Sequence, residues 1–124
     1  MPHDRKFRFG LQLVRAESGA QVVEWARRAE NLGYSTIYVP DHFVDHPLAP
    51  IPTMATVAAS TTTLRVGSLV LGNDYKHPVV VAKEAATIDV LSNGRLELGI
   101  GAGWMTVDYE KAGMTLDQIG RAHV

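Results

Sequence analysis

Four short apolar runs begin at Phe7, Thr36, Arg65 and Leu96, so they recur at intervals of 29, 29 and 31 residues through a chain of 124. A period close to ~30 residues is the length of one strand–helix–strand unit. Each helix returns the chain to the start of the next strand, which makes the strands parallel. The pattern predicts an α/β fold of about four parallel strands with intervening helices.

The individual segments agree with that frame. Phe7, Phe9, Leu11 and Leu13 alternate with Arg8, Gly10 and Gln12, a period of two that predicts a strand with one face closed by apolar packing. Ser18-Gly19-Ala20-Gln21 fits a capping box, and Val22, Ala26 and Ala29 follow at helical spacing until Gly33 stops the helix at Leu32. Thr36 to Val39 reads as the second strand, Ile51 to Ser60 as a helix with a proline near its start, and Leu64 to Leu71 as the third strand. Pro78 is placed as the first residue of a third helix, which Ser92-Asn93-Gly94 ends before the strand Leu96 to Ile100. No capped helix is expected after that strand.

Composition narrows the function. With 46% hydrophobic and 20% charged residues the chain can build one ordinary core. A net charge of -1 with mixed signs gives no electrostatic case for nucleic acid or a membrane surface as partner. The absence of cysteine excludes disulfides, thiolate metal sites and thiol catalysis. No run resembles a signal peptide or spans a bilayer, so a cytoplasmic location is expected.

Periodicity alone leaves an open doubly wound sheet and part of a barrel as alternatives. The first strand is followed by Leu13-Val14-Arg15-Ala16-Glu17 and no Gly-x-Gly-x-x-Gly, which weakens the dinucleotide-binding reading. Chemistry is expected at the carboxyl ends of the strands. Asp41-His42 follows the second strand and places an imidazole there, a group able to exchange a proton near neutral pH. Gly99, Gly101 and Gly103 alternate on one side of the last strand, where a missing Cβ admits either a flat ligand or a neighbouring backbone. Trp104 is a stacking wall or core filler. His42, Asp45 and His46 offer a rival metal site, in a stretch that Pro47 and Pro50 make a loop. No metal is expected. His77 and Asn73-Asp74 read as a turn into the third helix.

An ordered set of motifs goes further. It comprises Phe9-Gly10, Glu30-x-Leu32-Gly33-Tyr34, Val39-Pro40-Asp41-His42 and Leu64-Arg65-Val66-Gly67, then Ala86-Thr87-x-Asp89-x-Leu91-Ser92-x-Gly94-Arg95 and Leu98-Gly99-x-Gly101-Ala102-Gly103-Trp104. From about Phe7 to Gly113 the chain resembles the luciferase-like monooxygenase superfamily, most closely its branch of coenzyme F420-dependent oxidoreductases. The resemblance implies the N-terminal half of a (β/α)8 TIM barrel, since a whole barrel takes roughly 250 residues. It implies an oxidoreductase that transfers hydride between coenzyme F420 and a small organic substrate, with a monooxygenase using the flavin FMN as the alternative.

Residue by residue, the resemblance implies Asp41 and His42 as catalytic, His42 being the proton donor or acceptor. It implies a cofactor site of Gly10, Asp41, Leu69, Val70, Gly101, Ala102, Gly103 and Trp104, with a cis peptide between Leu69 and Val70. Trp104 stands where sugar-phosphate dehydrogenases of the family carry a catalytic glutamate, which argues against their chemistry. Relatives imply a homodimeric parent. The later loops that hold the cofactor's tail are missing, so the fragment alone is expected to be inactive. A hydrolase or lyase built on the metal reading and a non-catalytic fragment are the rival functions.

Residues 1–118 are expected to form the partial barrel domain. Ile119 to Val124 lacks an apolar period and translates ATC GGA AGA GCA CAC GTC, a common sequencing-adapter string, so residues 119–124 are expected to be a non-native tail.

Overall fold

The computed structural model describes residues 4–116, and the expected boundary at 118 and the tail 119–124 lie outside them. Its elements are β1 (Gly10–Gln12), α1 (Gly19–Asn31), β2 (Thr36–Val39), α2 (Pro50–Ser60), β3 (Arg65–Ser68), β4 (Leu71–Gly72), a 3₁₀ turn (Asn73–Tyr75), α3 (Pro78–Leu91), β5 (Leu96–Glu97), β6 (Ile100–Gly101) and α4 (Thr106–Ala112). β1, β2, β3 and β5 form a parallel sheet in that order, and β4 pairs with β6, also in parallel. The strand-helix alternation is therefore as expected, with α2 packed between α1 and α3.

Local chemistry sets the helix ends. Ser18 Oγ accepts from the Gln21 amide at 3.2 Å, while the Gln21 side chain accepts from the Glu17 amide at 2.8 Å, one residue earlier than a standard box. Gly33, at φ +82°, takes the left-handed turn that ends α1. His77 caps α3 by accepting from the Val79 amide at 3.2 Å, which is the turn expected there.

One core joins sheet and helices. Leu13, Ile37, Val39, Leu64 and Val66 meet Val22, Ala26 and Ala29 of α1, Met54, Val57 and Ala58 of α2, and Ile88 of α3. Each large apolar side chain so buried contributes about 1.5–3 kcal/mol.

Three expectations change. The first strand is only three residues long, and Phe7 and Phe9 are 88% and 70% exposed. β1 is an edge strand, and among the described residues only Leu13 of that apolar alternation reaches the core. The third and fourth strands are each split in two. Between the pieces the Ser68 hydroxyl replaces the ladder, donating to the Gly99 carbonyl at 2.8 Å and accepting from the Gly99 amide at 3.0 Å. Finally, a helix does follow the last strand: α4 ends at Gly113, at φ +67°.

A carboxylate fastens the turn into β3. Glu30 Oε1 accepts from the amides of Thr62, Thr63 and Leu64 at 2.8, 2.6 and 2.9 Å. Burial alone would raise this carboxyl, but the amides of Thr63, Leu64 and Thr62 and the Thr63 hydroxyl outweigh it and bring its pKa from 4.5 to about 2. A carboxyl lowered on folding stabilises the fold above its unfolded pKa and loses that contribution as pH falls through its folded one. Glu30→Ala should therefore cost about 1–2 kcal/mol at neutral pH. The gap from wild type should close as the pH is lowered from 4.5 toward about 2, as urea unfolding across that range would read.

Candidate active site

The carboxyl ends of the strands open into a cleft of about 340 Å³ lined by Asp41, His42, Leu69, Val70, Gly72, Tyr75, Gly101, Ala102, Gly103, Trp104 and Met105. That volume lies within the ~300–1,000 Å³ of small-molecule sites. Asp41, His42, Leu69, Val70, Gly101, Ala102, Gly103 and Trp104, which the resemblance implied as one site, line this one cleft. Gly10 is not. It pairs with Thr36 at the amino end of β2, and a Cβ on it would fall 2.7 Å from the Tyr38 ring, so its bareness seats that ring.

The polar wall is anchored from below. Asp108, on α4, is fully buried. Its Oδ1 accepts from the amides of Phe43 and Val44, both at 2.9 Å, and its Oδ2 lies 2.7 Å from Nδ1 of His42. Burial would raise the Asp108 carboxyl, yet the contacts with His42, Val44 and Phe43 outweigh it and hold the group below the usual carboxylate range. It is a charged residue under the loop that carries His42. Tyr75 adds its hydroxyl at 3.5 Å from Oδ2. Burial first, and then the Asp108 charge, push the Tyr75 phenol up to about 12.

Asp41 has a different position. Its Oδ2 accepts from the Gly72 amide at 3.0 Å, tying the tip of β2 to β4. Burial raises its pKa despite that bond. Its geometry is that of a clamp between strand tips, beside the imidazole.

The opposite wall is apolar and open. Leu69 and Val70, joined by the expected cis peptide, are 49% and 39% exposed, and Trp104 is 71% exposed. Trp104 is thus wall and not core, its ring edge-on to His42 at 5.9 Å. The glycines serve internal clearance. A Cβ on Gly101 would meet Val70 at 2.5 Å, and one on Gly103 would overlap the Tyr109 hydroxyl. Their missing side chains make room for these two residues, while their backbones line the cleft.

The sequence reading missed Asp108, Tyr75 and Tyr109. Tyr109 is buried and donates to Asp74 at 2.9 Å, which joins α4 to the 3₁₀ turn. The usable signal was Gly113 closing a turn of helix over Thr106-Val107-Asp108-Tyr109. The His42 and His46 rings do lie 4.9 Å apart, tilted by 45°, but His46 Nδ1 sits on the Val44 carbonyl at 3.1 Å. Among the described residues no three histidine or carboxylate side chains are grouped to hold a metal ion. No helix among them is long and apolar enough to cross a membrane.

Comparison with known proteins adds a family. The model of the luciferase-like monooxygenases matches residues 6–122. The F420-dependent glucose-6-phosphate dehydrogenase of Amycolatopsis mediterranei is 37% identical over 89 residues, covering 66% of this chain and 27% of the relative. The oxygenase component of the flavin-dependent trigonelline monooxygenase of Acinetobacter baylyi is 32% identical over 94 residues, covering 73% of this chain and 26% of the relative. In fold, the coenzyme F420-dependent tetrahydromethanopterin reductase of Methanopyrus kandleri superposes with a TM-score of 0.80 at 22% identity, over 90% of this chain and 31% of that one. The chain thus spans about a quarter of the length of these two curated relatives.

Proposed function

The chain belongs to the luciferase-like monooxygenase family, and on that premise we propose that its cleft takes the flat ring of a redox cofactor, coenzyme F420 first and FMN as the alternative. The full-length protein is then an oxidoreductase that passes a hydride between that ring and a small organic substrate. One observation carries the reading: an imidazole braced by a buried carboxylate faces a cleft whose other wall is exposed and apolar.

The residues suit such a group. Leu69, Val70, Ala102 and Trp104 offer apolar surface that gains by being covered with a ring. When bound, a deazaflavin or flavin supplies the hydride chemistry, and a flavin adds reactivity toward oxygen. The protein orients the ring, sheds water from the apolar wall and provides a proton group in His42. Asp41 keeps the tips of β2 and β4 in register beneath it. Relatives named for coenzyme F420 and for flavin both support the cofactor class.

Titration of the full-length protein with coenzyme F420 and with FMN, each oxidised and reduced, tests this through tryptophan fluorescence, the Trp104→Phe variant separating the Trp104 signal from that of Trp25. Saturable quenching by coenzyme F420, with FMN weaker by about tenfold or ~1.4 kcal/mol, is expected. The reverse order selects FMN. Failure of both to bind removes the proposal.

A further inference from the structure

We infer that Asp108 is a positioning residue that fixes the proton of the neutral His42 ring on Nδ1, so that Nε2 presents a lone pair to the cleft. The inference rests on the proposed role of His42 and adds the atom through which it acts.

A carboxylate only accepts. Asp108 Oδ1 is taken by two amide donors, those of Phe43 and Val44. Oδ2 lies 2.7 Å from His42 Nδ1, and only a proton on Nδ1 makes that contact a bond. The low pKa direction of Asp108 agrees with an ionised acceptor. The other groups around the ring do not compete for Nδ1: His46 Nδ1 is on the Val44 carbonyl, Asp41 is on the Gly72 amide, and the Tyr75 hydroxyl approaches Asp108. Among the described residues Nε2 has no hydrogen-bond partner, which leaves it for substrate or cofactor.

The same pairing of donors with acceptors dictates what an isosteric change does. In Asp108→Asn the two amides still require an acceptor and retain Oδ1, so the new NH₂ group faces Nδ1. Two donors cannot pair, and the ring must move its proton to Nε2. The loop is kept, because both amide bonds survive, but the lone pair at the cleft is gone. In serine proteases an Asp→Asn change that inverts a histidine tautomer costs about 10⁴-fold in turnover. We expect a fall of about 10²–10⁴-fold here, with cofactor affinity unchanged.

The test is ¹⁵N NMR of histidine-labelled full-length protein, the His42 signals being assigned by their loss in His42→Gln. The neutral ring should be Nδ1–H in wild type and Nε2–H in Asp108→Asn. A wild-type ring protonated on Nε2, or a tautomer unmoved in the variant, overturns the inference. The wild-type spectrum decides alone if the variant does not fold. An inverted tautomer with unchanged turnover supports the placement by Asp108 and removes His42 from the proposed reaction, so the two claims fail separately.

Discussion

Arg95→Met is expected to lower the unfolding free energy by about 3–5 kcal/mol. Arg95 is 9% exposed, and among the described residues no carboxylate forms an ion pair with it. Its charge is instead solvated by oxygens at the ends of α2 and α3 and at the entry to β3. Nε donates to the Ser92 carbonyl at 2.6 Å, Nη1 to the Leu64 carbonyl at 2.6 Å and Thr61 Oγ1 at 3.0 Å, and Nη2 to the carbonyls of Ala58 and Thr61 at 2.7 and 3.1 Å. All five donors are used. The last turns of α2 and α3 carry partial negative charge, which favours a cation there. A methionine fills the volume but leaves those carbonyls without donors in a site closed to water. Arg95→Lys retains the charge with three donors on one atom, so about half the loss is expected. Urea unfolding at constant m-value gives both numbers, and a Met variant within ~0.5 kcal/mol of wild type contradicts the account.

His42→Ala should reduce turnover of the full-length protein by about 10²–10⁴-fold, the usual worth of a positioned acid or base. Cofactor affinity should stay within about twofold, because the apolar wall of Leu69, Val70 and Trp104 remains. The fold should survive as well, since the Phe43 and Val44 amides still hold Asp108. Steady-state rates set beside equilibrium titration distinguish the two effects. Equal turnover in variant and wild type would show that the proton comes from elsewhere.

Much of this architecture could be read from one sequence because its signals are local. Ser18, Gly33, Pro78 and Gly94 mark helix ends through their own backbone preferences, and Asp41-His42 sits where an apolar run stops. What could not be read depends on partners far along the chain. Asp108 is 66 residues from His42, on a seven-residue helix whose N-cap makes no side-chain bond. The purpose of Gly101 and Gly103 depends on where Val70 and Tyr109 stand, which no spacing reveals. Phe7 and Phe9 follow the strand period correctly, yet burial needs a second surface, and alternation says nothing of whether one is supplied.

The bonds from Asp41 to Gly72, from Asp108 to the amides of Phe43 and Val44, and from Tyr109 to Asp74 link segments belonging to three different repeats. Exchange of the 41–46 segment alone for that of a homologue would import a backbone shaped around someone else's counter-carboxylate. A chimera should therefore transplant that segment together with 73–75 and 105–109, as one inherited module.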